Sequence, residues 1–231
     1  MSESHPQVNS SSMEETSLDG RHVHGHSRRM KASSKEQHRR LPSLILASAS
    51  PRRQELLRQL GVKFEVVPSA ASEIHRAQMT GSELAKINAH RKALAVAVEN
   101  PRELVLGADT LVCLGTEILG KPATRENAFR MLQQLQGATH QVVTAICLLQ
   151  LQPLRLRLFV ESTDVVFRSL KAAEIRRYLA AINPLDKAGG YAIQEHGEWI
   201  VERIAGSYSN VVGLPLERLT AALQDWSAFT S

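Results

Sequence analysis

Short apolar runs and helical patterns follow one another along the chain and predict a succession of strands and helices. The first run, 44–46, predicts a buried strand, and the pattern after it predicts a helix that Gly61 closes. Ser50 is a natural N-cap residue for that helix, and Pro51 suits its first position. A helix that starts directly after a strand presents free backbone N–H groups, which can bind phosphate. The alternative is a well-capped helix whose following arginines are only solvated.

The most continuous apolar run, 104–114, predicts a central strand. Asp109 interrupts this run, and a buried carboxylate is costly unless it has a partner, a metal or a task. Gly107, just before it, allows a bulge or a close backbone approach. Asp109 is therefore either the end of the strand, facing water, or a functional acid, and we favour the functional acid.

The remaining patterns complete the predicted elements. A capping box of Thr80 and Glu83 starts a long helix that ends at Asn100. The apolar positions of this helix are Leu84, Ile87, Leu94 and Val98. A turn at 152–153 joins two strands into an antiparallel hairpin. The other predictions are strands at 63–67, 140–149, 155–167 and 199–204, a helix from a Thr124 cap to Leu135, a helix after 167, and a final helix at 215–226.

Two loops that contain glycine precede the final helix, at 183–194 and 206–215. The first loop combines charged residues, two adjacent glycines and Tyr191, an aromatic residue of a type usually buried. This combination favours a shaped ligand-binding loop. The alternative is a long connection between a helix and a strand.

Residues 1–40 differ in composition from the rest, since they hold seven apolar residues and no aromatic residue. Such a segment cannot bury enough surface to offset its chain entropy. We therefore expect a disordered extension at 1–40 and a globular body at 41–231. The acidic residues of the extension argue against a mitochondrial presequence.

The bulk composition argues against several function classes. The net charge is +5 and aromatic residues make up 4% of the chain, so a stacking surface for nucleic acid is not expected. No apolar run approaches the roughly 18–20 residues of a membrane helix, and no signal peptide is visible. We expect a soluble, cytoplasmic protein with neither a membrane nor a nucleic acid as partner. Cys113 and Cys147 lie in strand-like runs and are expected to be buried, reduced thiols.

The polar exceptions to these patterns form one chemical set. The set consists of the cations Arg52, Arg53, Lys92 and Lys121, the hydroxyl of Ser48, and the acids Glu73 and Asp109. Basic groups with a few acids suit a polyphosphate held together with a divalent metal. The sequence contains neither a GxxxxGK[ST] nor a GxGxxG motif, and it lacks the His/Cys set typical of zinc sites.

Six blocks of residues occur in order through the body. They are LASASPRRQELL at 46–57, GADT at 107–110, GKP at 120–122, DKAG at 186–189, YAIQ at 191–194 and SNVVGLP at 209–215. Over about 44–223 the chain resembles the Maf family of nucleoside triphosphate pyrophosphatases. The resemblance implies an α/β fold: a mixed, twisted β-sheet flanked by helices, with two lobes around a substrate cleft, as in the pyrophosphatases of deaminated purines. It also implies hydrolysis of a nucleoside triphosphate to the monophosphate and pyrophosphate, with Mg²⁺ or Mn²⁺.

The resemblance implies roles for the matching residues. Asp109 matches the catalytic acid/base residue, and Glu73 matches the loop acid that helps to hold the metal. The phosphate-binding set is Ser48, Arg53, Lys92 and Lys121. Arg52, Thr110 and Gln194 stand where subfamilies differ, and they resemble the branch that takes dTTP and UTP. The branch that acts on 7-methyl-GTP has Trp, Gln and Glu at these places.

The chain departs from the family pattern at a few positions. Ala192 stands where glycine is usual, Glu195 and His196 follow Gln194 in place of a glycine-containing turn, and Lys171 replaces a serine cap. Glu195 adds a charge near the base pocket and leaves the base preference open.

Two alternatives to a dTTP/UTP pyrophosphatase follow. One is a pyrophosphatase for 7-methyl-GTP or deaminated purine triphosphates, and the other is a nucleotide-binding regulator of cell division. The acids at 73 and 109 favour turnover over binding alone. The resemblance also suggests a homodimer.

Overall fold

The computed structural model describes residues 43–76 and 78–228. The strands of this part of the chain form a single mixed β-sheet. The sheet has seven strands: β1 Leu44–Leu46, β2 Phe64–Val66, β3 Leu104–Leu114, β4 Glu117–Leu119, β5 Thr139–Leu151, β6 Leu154–Phe167 and β7 Val201–Ala205. Their order is β2-β1-β3-β5-β6-β7, and β4 pairs with β3. The predicted α/β class with a mixed sheet is confirmed. The predicted disordered extension at 1–40 lies outside the described residues.

The central strand β3 has neighbours of very different length. On one side it pairs antiparallel with β5 from Val105 to Cys113. On the other side it pairs in parallel with β1, which is 3 residues long and stops at Leu46, opposite Leu106. On that same side β4 begins to pair only at Val112. Among the described residues, 107–111 of β3 therefore have no strand neighbour on the β1 side, and a gap opens there.

Helices cover both faces of the sheet. They are α1 Pro51–Gln59, α2 Gly81–Ala97, α3 Arg125–Leu135, α4 Ala172–Ala181, α5 Gly197–Ile200, α6 Tyr208–Val212 and α7 Leu216–Ala228. Helices α1 and α7 pack with Leu46 and Leu106 on one face, and α2 packs with Val105 and Cys147 on the other. A third apolar cluster joins α3 and α4 to Val165 and Phe167 of β6. No helix among the described residues is long and apolar enough to cross a membrane.

Helix α2 buries mostly small residues. Leu84 is buried, but Leu94 and Val98 are 37% and 58% exposed, and the buried face is mostly alanine. Of the predicted apolar positions, Leu84 therefore lies in the core, whereas Leu94 and Val98 do not, because alanines face β3 where the helix lies close to it. A Cβ on Gly107 would lie 2.3 Å from the carbonyl oxygen of Ala89, so this glycine permits the close approach that was predicted. The capping box is confirmed, and the helix ends at Ala97, before the predicted end.

Two other predictions about elements were wrong in part. Residues 199–200 belong to the short helix α5, and the predicted strand begins only at Val201. The second glycine-containing loop holds helix α6, whose start is capped by the Ser207 side chain accepting a hydrogen bond from the Asn210 N–H. Local capping by a serine thus forms a helical turn where composition suggested only a loop.

The structure also shows the surroundings of Lys171, which departs from the family pattern, and of the two cysteines. At the start of α4, the Lys171 N–H donates to Glu174 Oε2 at 2.7 Å, so Glu174 supplies a contact where the usual serine is missing. Cys113 and Cys147 are both free and buried, which confirms that prediction.

Candidate active site

Asp109 lies in the middle of β3, beside the gap left by the short strand β1. It is 3% exposed, so the alternative of a solvated strand end is wrong. Its Oδ1 accepts a hydrogen bond from Lys92 Nζ at 2.6 Å, and its Oδ2 accepts one from Asn88 Nδ2 at 3.3 Å. Both carboxylate oxygens are therefore satisfied, as burial of the charge requires.

Lys92 reaches from α2 and joins Asp109 to a second acid. Its Nζ also lies 2.7 Å from Glu73 Oε1, and Lys121 Nζ lies 3.2 Å from the same oxygen. The result is a row of alternating charges, Asp109, Lys92, Glu73 and Lys121. Burial alone would raise the pKa of Glu73, but the hydrogen bonds and charges of Lys92 and Lys121 outweigh it and lower the pKa to about 2. Glu73 is therefore ionised at neutral pH.

Asn88 is a residue of this cluster that the sequence analysis missed. Its Oδ1 accepts from the Ile74 N–H at 2.9 Å, and its Nδ2 donates to the Ile74 carbonyl at 3.3 Å and to Asp109. Asn88 thus fixes the loop that carries Glu73 against the strand that carries Asp109. A polar residue on a helix face lined by alanines was the available sequence signal.

Arg53 lies at the start of α1 and has three neighbours that hold it. Its Nη1 donates to Ser48 Oγ at 3.1 Å, its Nη2 to Thr110 Oγ1 at 3.0 Å, and its Nε to the Gly213 carbonyl at 3.0 Å. Burial lowers the pKa of Arg53 from its ordinary value, while the charge of Asp109 opposes that shift. The guanidinium is therefore a fixed, half-buried positive charge beside the acid.

The start of α1 differs from the prediction in one detail. Ser50 occupies the N-cap position as expected, but its side chain makes no cap hydrogen bond. Its own N–H instead donates to Ser48 Oγ at 3.3 Å. The N-terminal N–H groups of α1 are thus left without a side-chain cap, next to Arg53, as a phosphate site requires.

The opposite wall of the site is built from the first glycine-containing loop. Arg52 Nη1 lies 3.0 Å from Asp186 Oδ2, and Lys187 Nζ lies 2.8 Å from Asp186 Oδ1. Burial would raise the pKa of Asp186, but the hydrogen bonds from Lys187 and Arg52 hold it below its ordinary value. Residues of this loop line the cavity, and the hypothesis that it binds a ligand stays a prediction. The sequence analysis had given no role to Asp186 or Lys187.

All of the residues predicted for the site line one cavity of about 470 Å³. Those residues are Ser48, Arg52, Arg53, Glu73, Lys92, Asp109, Thr110, Lys121 and Gln194. The Thr110 hydroxyl accepts a hydrogen bond from Arg53, and it lies 3.0 Å from the hydroxyl of Thr144. The cavity has the size of a small-molecule site. The positively charged side chains in its lining lie around the carboxylates of Glu73 and Asp109. Such an arrangement can bind a polyanion and place a carboxylate beside it.

Comparison with known proteins identifies the relatives of this chain. A family model described as "Maf-like protein" matches residues 43–226. The chain belongs to the Maf family.

Several curated relatives are named "dTTP/UTP pyrophosphatase". The relative from Gloeobacter violaceus is 48% identical over 183 residues, covering 79% of this chain and 95% of the relative. The relative from Shigella boydii is 46% identical over 189 residues, covering 81% and 95%. The relative from Pelotomaculum thermopropionicum is 43% identical over 184 residues, covering 80% and 96%. The predicted resemblance to the Maf family is confirmed over the whole described sheet, and the matched region contains every residue of the site.

Proposed function

We propose that this chain hydrolyses dTTP and UTP to the monophosphate and pyrophosphate. The observation that carries the proposal is the buried Asp109, ionically paired with Lys92 on the floor of a cavity that Arg53 and Lys121 also line. The names of the Maf relatives support the same reaction and the same substrates. A cavity with this charge pattern suits a triphosphate and supplies a base at the reacting end.

The reaction needs a base for water and positive charge for the leaving group. A water oxygen attacks the α-phosphorus, a carboxylate oxygen of Asp109 takes its proton, and the bond from the α-phosphorus to the bridging oxygen breaks. The electron pair leaves with the pyrophosphate. Lys92, Lys121 and Arg53 stabilise the negative charge that develops there, because they are already in place before the reaction.

Glu73 and Asp109 are the residues that would hold a divalent cation. Their two carboxylates both contact the Lys92 ammonium and supply the oxygen ligands that Mg²⁺ or Mn²⁺ takes in enzymes acting on phosphates. Such sites take one or two carboxylates from the protein and further oxygens from substrate and water. A bound cation would supply charge neutralisation at the phosphate oxygens.

Base selection is proposed for Arg52, Thr110 and Gln194. Gln194 is exposed in the cavity, and its amide offers both a donor and an acceptor. Uracil and thymine present two carbonyls and one N–H on their pairing edge, which a glutamine amide can match. The donor-rich edge of a guanine would suit a glutamate instead, which argues against 7-methyl-GTP.

Pyrophosphate release with Mg²⁺ tests this proposal. The full chain is incubated separately with dTTP, UTP, 7-methyl-GTP and dITP. We expect release from dTTP and UTP at rates well above those for the two purine nucleotides. Preference for a purine nucleotide would favour the alternative pyrophosphatases, and binding without any release would favour the regulator.

We also propose a homodimer, because leucines on β6 remain outside the core. Leu154, Leu156 and Leu158 alternate along the strand and are all exposed, so they share one face of the sheet. A row of exposed leucines suits burial in an interface. Light scattering of the purified chain would give twice the chain mass, and a single-chain mass at micromolar concentration would contradict the proposal.

Residues 1–40 and the cytoplasmic location stand as further proposals. The family match begins at residue 43, which supports a body at 41–231 that works without the extension. Two buried free cysteines suit a reducing compartment. A variant that begins at residue 41 is expected to keep its kcat/KM for dTTP, and a large loss would give the extension a part in catalysis.

A further inference from the structure

Four charges of alternating sign cross the outer wall of the cavity. Arg52 on α1 pairs with Asp186 at 3.0 Å, Asp186 pairs with Lys187 at 2.8 Å, and Lys187 pairs with Glu195 at 3.2 Å. Arg52 also donates to the Asp186 carbonyl at 3.3 Å. We call these four residues the wall network. It connects the start of α1 to the residue that directly follows Gln194.

Lys187 is the centre of the wall network, and its partners enclose it almost completely. Its side chain is 5% exposed, its Nζ donates hydrogen bonds to Asp186 Oδ1 and to the Asn183 carbonyl, and it forms an ion pair with Glu195. Lys121 is the opposite case, since it is 53% exposed and has one ion-pair partner within the described residues, Glu73. Because it is buried among its partners, Lys187 holds other residues in place and leaves phosphate binding to Lys121 and its neighbours.

The segment with Gln194 is anchored on both sides. On one side the Tyr178 hydroxyl accepts from the Ala192 N–H at 3.0 Å and donates to the Ala192 carbonyl at 2.9 Å. On the other side Glu195 is tied to Lys187. Gln194 itself makes no side-chain hydrogen bond within the described residues and is exposed to the cavity. Its position therefore depends on Ala192 and Glu195.

The wall network also balances the negative charge that Glu195 adds near the base pocket. Its carboxylate is paired, and the wall network as a whole has two positive and two negative members. The pocket therefore receives no net negative charge from Glu195. Carbonyl oxygens of a pyrimidine can approach this wall without repulsion.

We propose that Asp186, Lys187 and Glu195 are positioning residues for nucleobase selection, because they hold Arg52 and Gln194 at a fixed separation across the cavity. The identity of the ligand rests on the proposed function. The network lies at the base end, whereas Lys92 and Asp109 serve the phosphate end. Loosening the network is therefore expected to weaken nucleotide binding while leaving pyrophosphate binding unchanged.

The test uses Glu195→Gln, Asp186→Asn and the double variant in the full chain, with Mg²⁺ present. Glu202→Gln is the matched control, because Glu202 is an exposed glutamate on β7. Titration calorimetry gives Kd for dTTP with an NH group in place of the α,β-bridging oxygen, and Kd for inorganic pyrophosphate. Steady-state kinetics give KM and kcat for dTTP and for 7-methyl-GTP.

Each single variant is expected to raise the Kd of the dTTP analogue roughly three- to tenfold, the size of one or two weakened ion pairs. KM for dTTP should rise with it, kcat should change little, and the preference for dTTP over 7-methyl-GTP should fall. The double variant should lose less than the product of the two single losses, because both changes act through Lys187. The control and the pyrophosphate Kd should match the wild type.

Three results would overturn the inference: an unchanged Kd for the analogue in Glu195→Gln, an equal loss of pyrophosphate binding, or single losses that multiply in the double variant. If Asp186→Asn fails to fold, the first two results in Glu195→Gln decide. A wild type that binds the analogue but releases no pyrophosphate from dTTP or UTP would contradict the proposed function alone. A wild type that does not bind the analogue would contradict both.

Discussion

The two ends of the cavity, which the proposed function assigns to the phosphates and to the base, are built in different ways. At the phosphate end, Asp109 and Lys92 belong to the central strand and the longest helix, and the acid is almost fully buried. At the base end, Asp186 and Gln194 belong to a loop, are largely exposed, and depend on ion pairs for their position. The residues proposed for hydrolysis thus lie on a strand and a helix, whereas Asp186 and Gln194, proposed for base recognition, lie in a loop.

This difference follows from what each end has to do. A base must meet the reacting phosphorus at a fixed distance, and regular elements packed by alanines allow little displacement. A recognition wall must let the nucleotide in and out, so exposure is unavoidable there, and exposed ion pairs are weak individually. Changes at the phosphate end should therefore cost catalysis or folding, and changes at the base end should cost affinity.

Asp109→Asn should show the largest effect. The substitution keeps the size of the side chain and an oxygen for Lys92 but removes the base, so kcat for dTTP should fall roughly 10³-fold. Triphosphate binding should remain measurable. Pyrophosphate release gives the rate, and Asp225→Asn, an exposed acid on α7, is the control. Full activity in Asp109→Asn would remove Asp109 from its proposed role.

Gly107→Ala tests whether the phosphate end tolerates even one methyl group. The added Cβ would meet the Ala89 carbonyl oxygen at 2.3 Å and the Ala93 N at 2.8 Å, both backbone atoms. The variant should lose about 3 kcal/mol of unfolding free energy in denaturant titration, as overpacked cores do.

Gly120→Ala is the matched control for that experiment. A Cβ there would have nothing within 4 Å. Its unfolding free energy should stay within about 0.5 kcal/mol of the wild type. Equal stability of the two variants would show that α2 and β3 can separate at little cost, which would contradict the rigid phosphate end.

Arg52→Gln tests the base end. The variant loses the ion pair with Asp186, and KM for dTTP should rise about fivefold to tenfold while kcat falls much less than in Asp109→Asn. The unfolding free energy should change by less than about 1 kcal/mol, because the pair is partly solvated. Arg58→Gln, an exposed arginine on the same helix, should behave as wild type. A kcat loss as large as that of Asp109→Asn would abolish the distinction between the two ends.

His140 of β5 contacts Tyr191 of the base-end loop, and its effect on dTTP turnover should be the smallest. Its Nε2 lies 2.7 Å from the Tyr191 hydroxyl, and burial lowers its pKa from 6.5 to about 4 against the charge of Asp164. Between pH 6.5 and about pH 4, the imidazole is protonated in the unfolded chain but stays neutral in the folded chain. The free energy of unfolding therefore falls as the pH drops from about 6.5 to about 4.

His140→Gln should flatten that part of the stability profile. The expected difference in Tm between pH 7 and pH 4.5 is smaller than in the wild type by roughly 5–10 °C, because two pH units below the unfolded pKa correspond to about 2.7 kcal/mol. His90→Gln, on α2, should keep the wild-type slope. An unchanged slope in His140→Gln would show that the buried imidazole does not contribute to the acid sensitivity of the fold.

The phosphate end was readable from the sequence because its residues break strong patterns. Asp109 interrupts an apolar strand, and Gly107 precedes it, so the acid and either a bulge or a close backbone approach could be predicted, but not that α2 makes this approach. Asn88 escaped notice because a single amide within α2, even on a face lined by alanines, does not show what it binds. Its partners are the backbone of Ile74 and a carboxylate 21 positions away, and such contacts leave no local pattern.

Apart from Arg52, Thr110 and Gln194, which the family resemblance pointed to, the base end was readable only as composition. The charges and glycines at 183–194 suggested a ligand loop, but the ion pair of Arg52 with Asp186 joins positions 134 apart. Likewise, Leu94 and Val98 looked like core positions, and only the distance between α2 and β3 decides that alanines fill that space. Long-range geometry sets these outcomes, so local propensity could not supply them.

The unequal lengths of β1 and β3 have one more consequence. Since β1 stops opposite Leu106, the acid three residues further along projects from the sheet itself, at a depth set by strand pairing. A different loop in place of 183–194 would meet the same acid at the same depth. Exchange of that loop, together with changes at Arg52 and Thr110, could therefore alter the nucleotide preference while the acid stays in place.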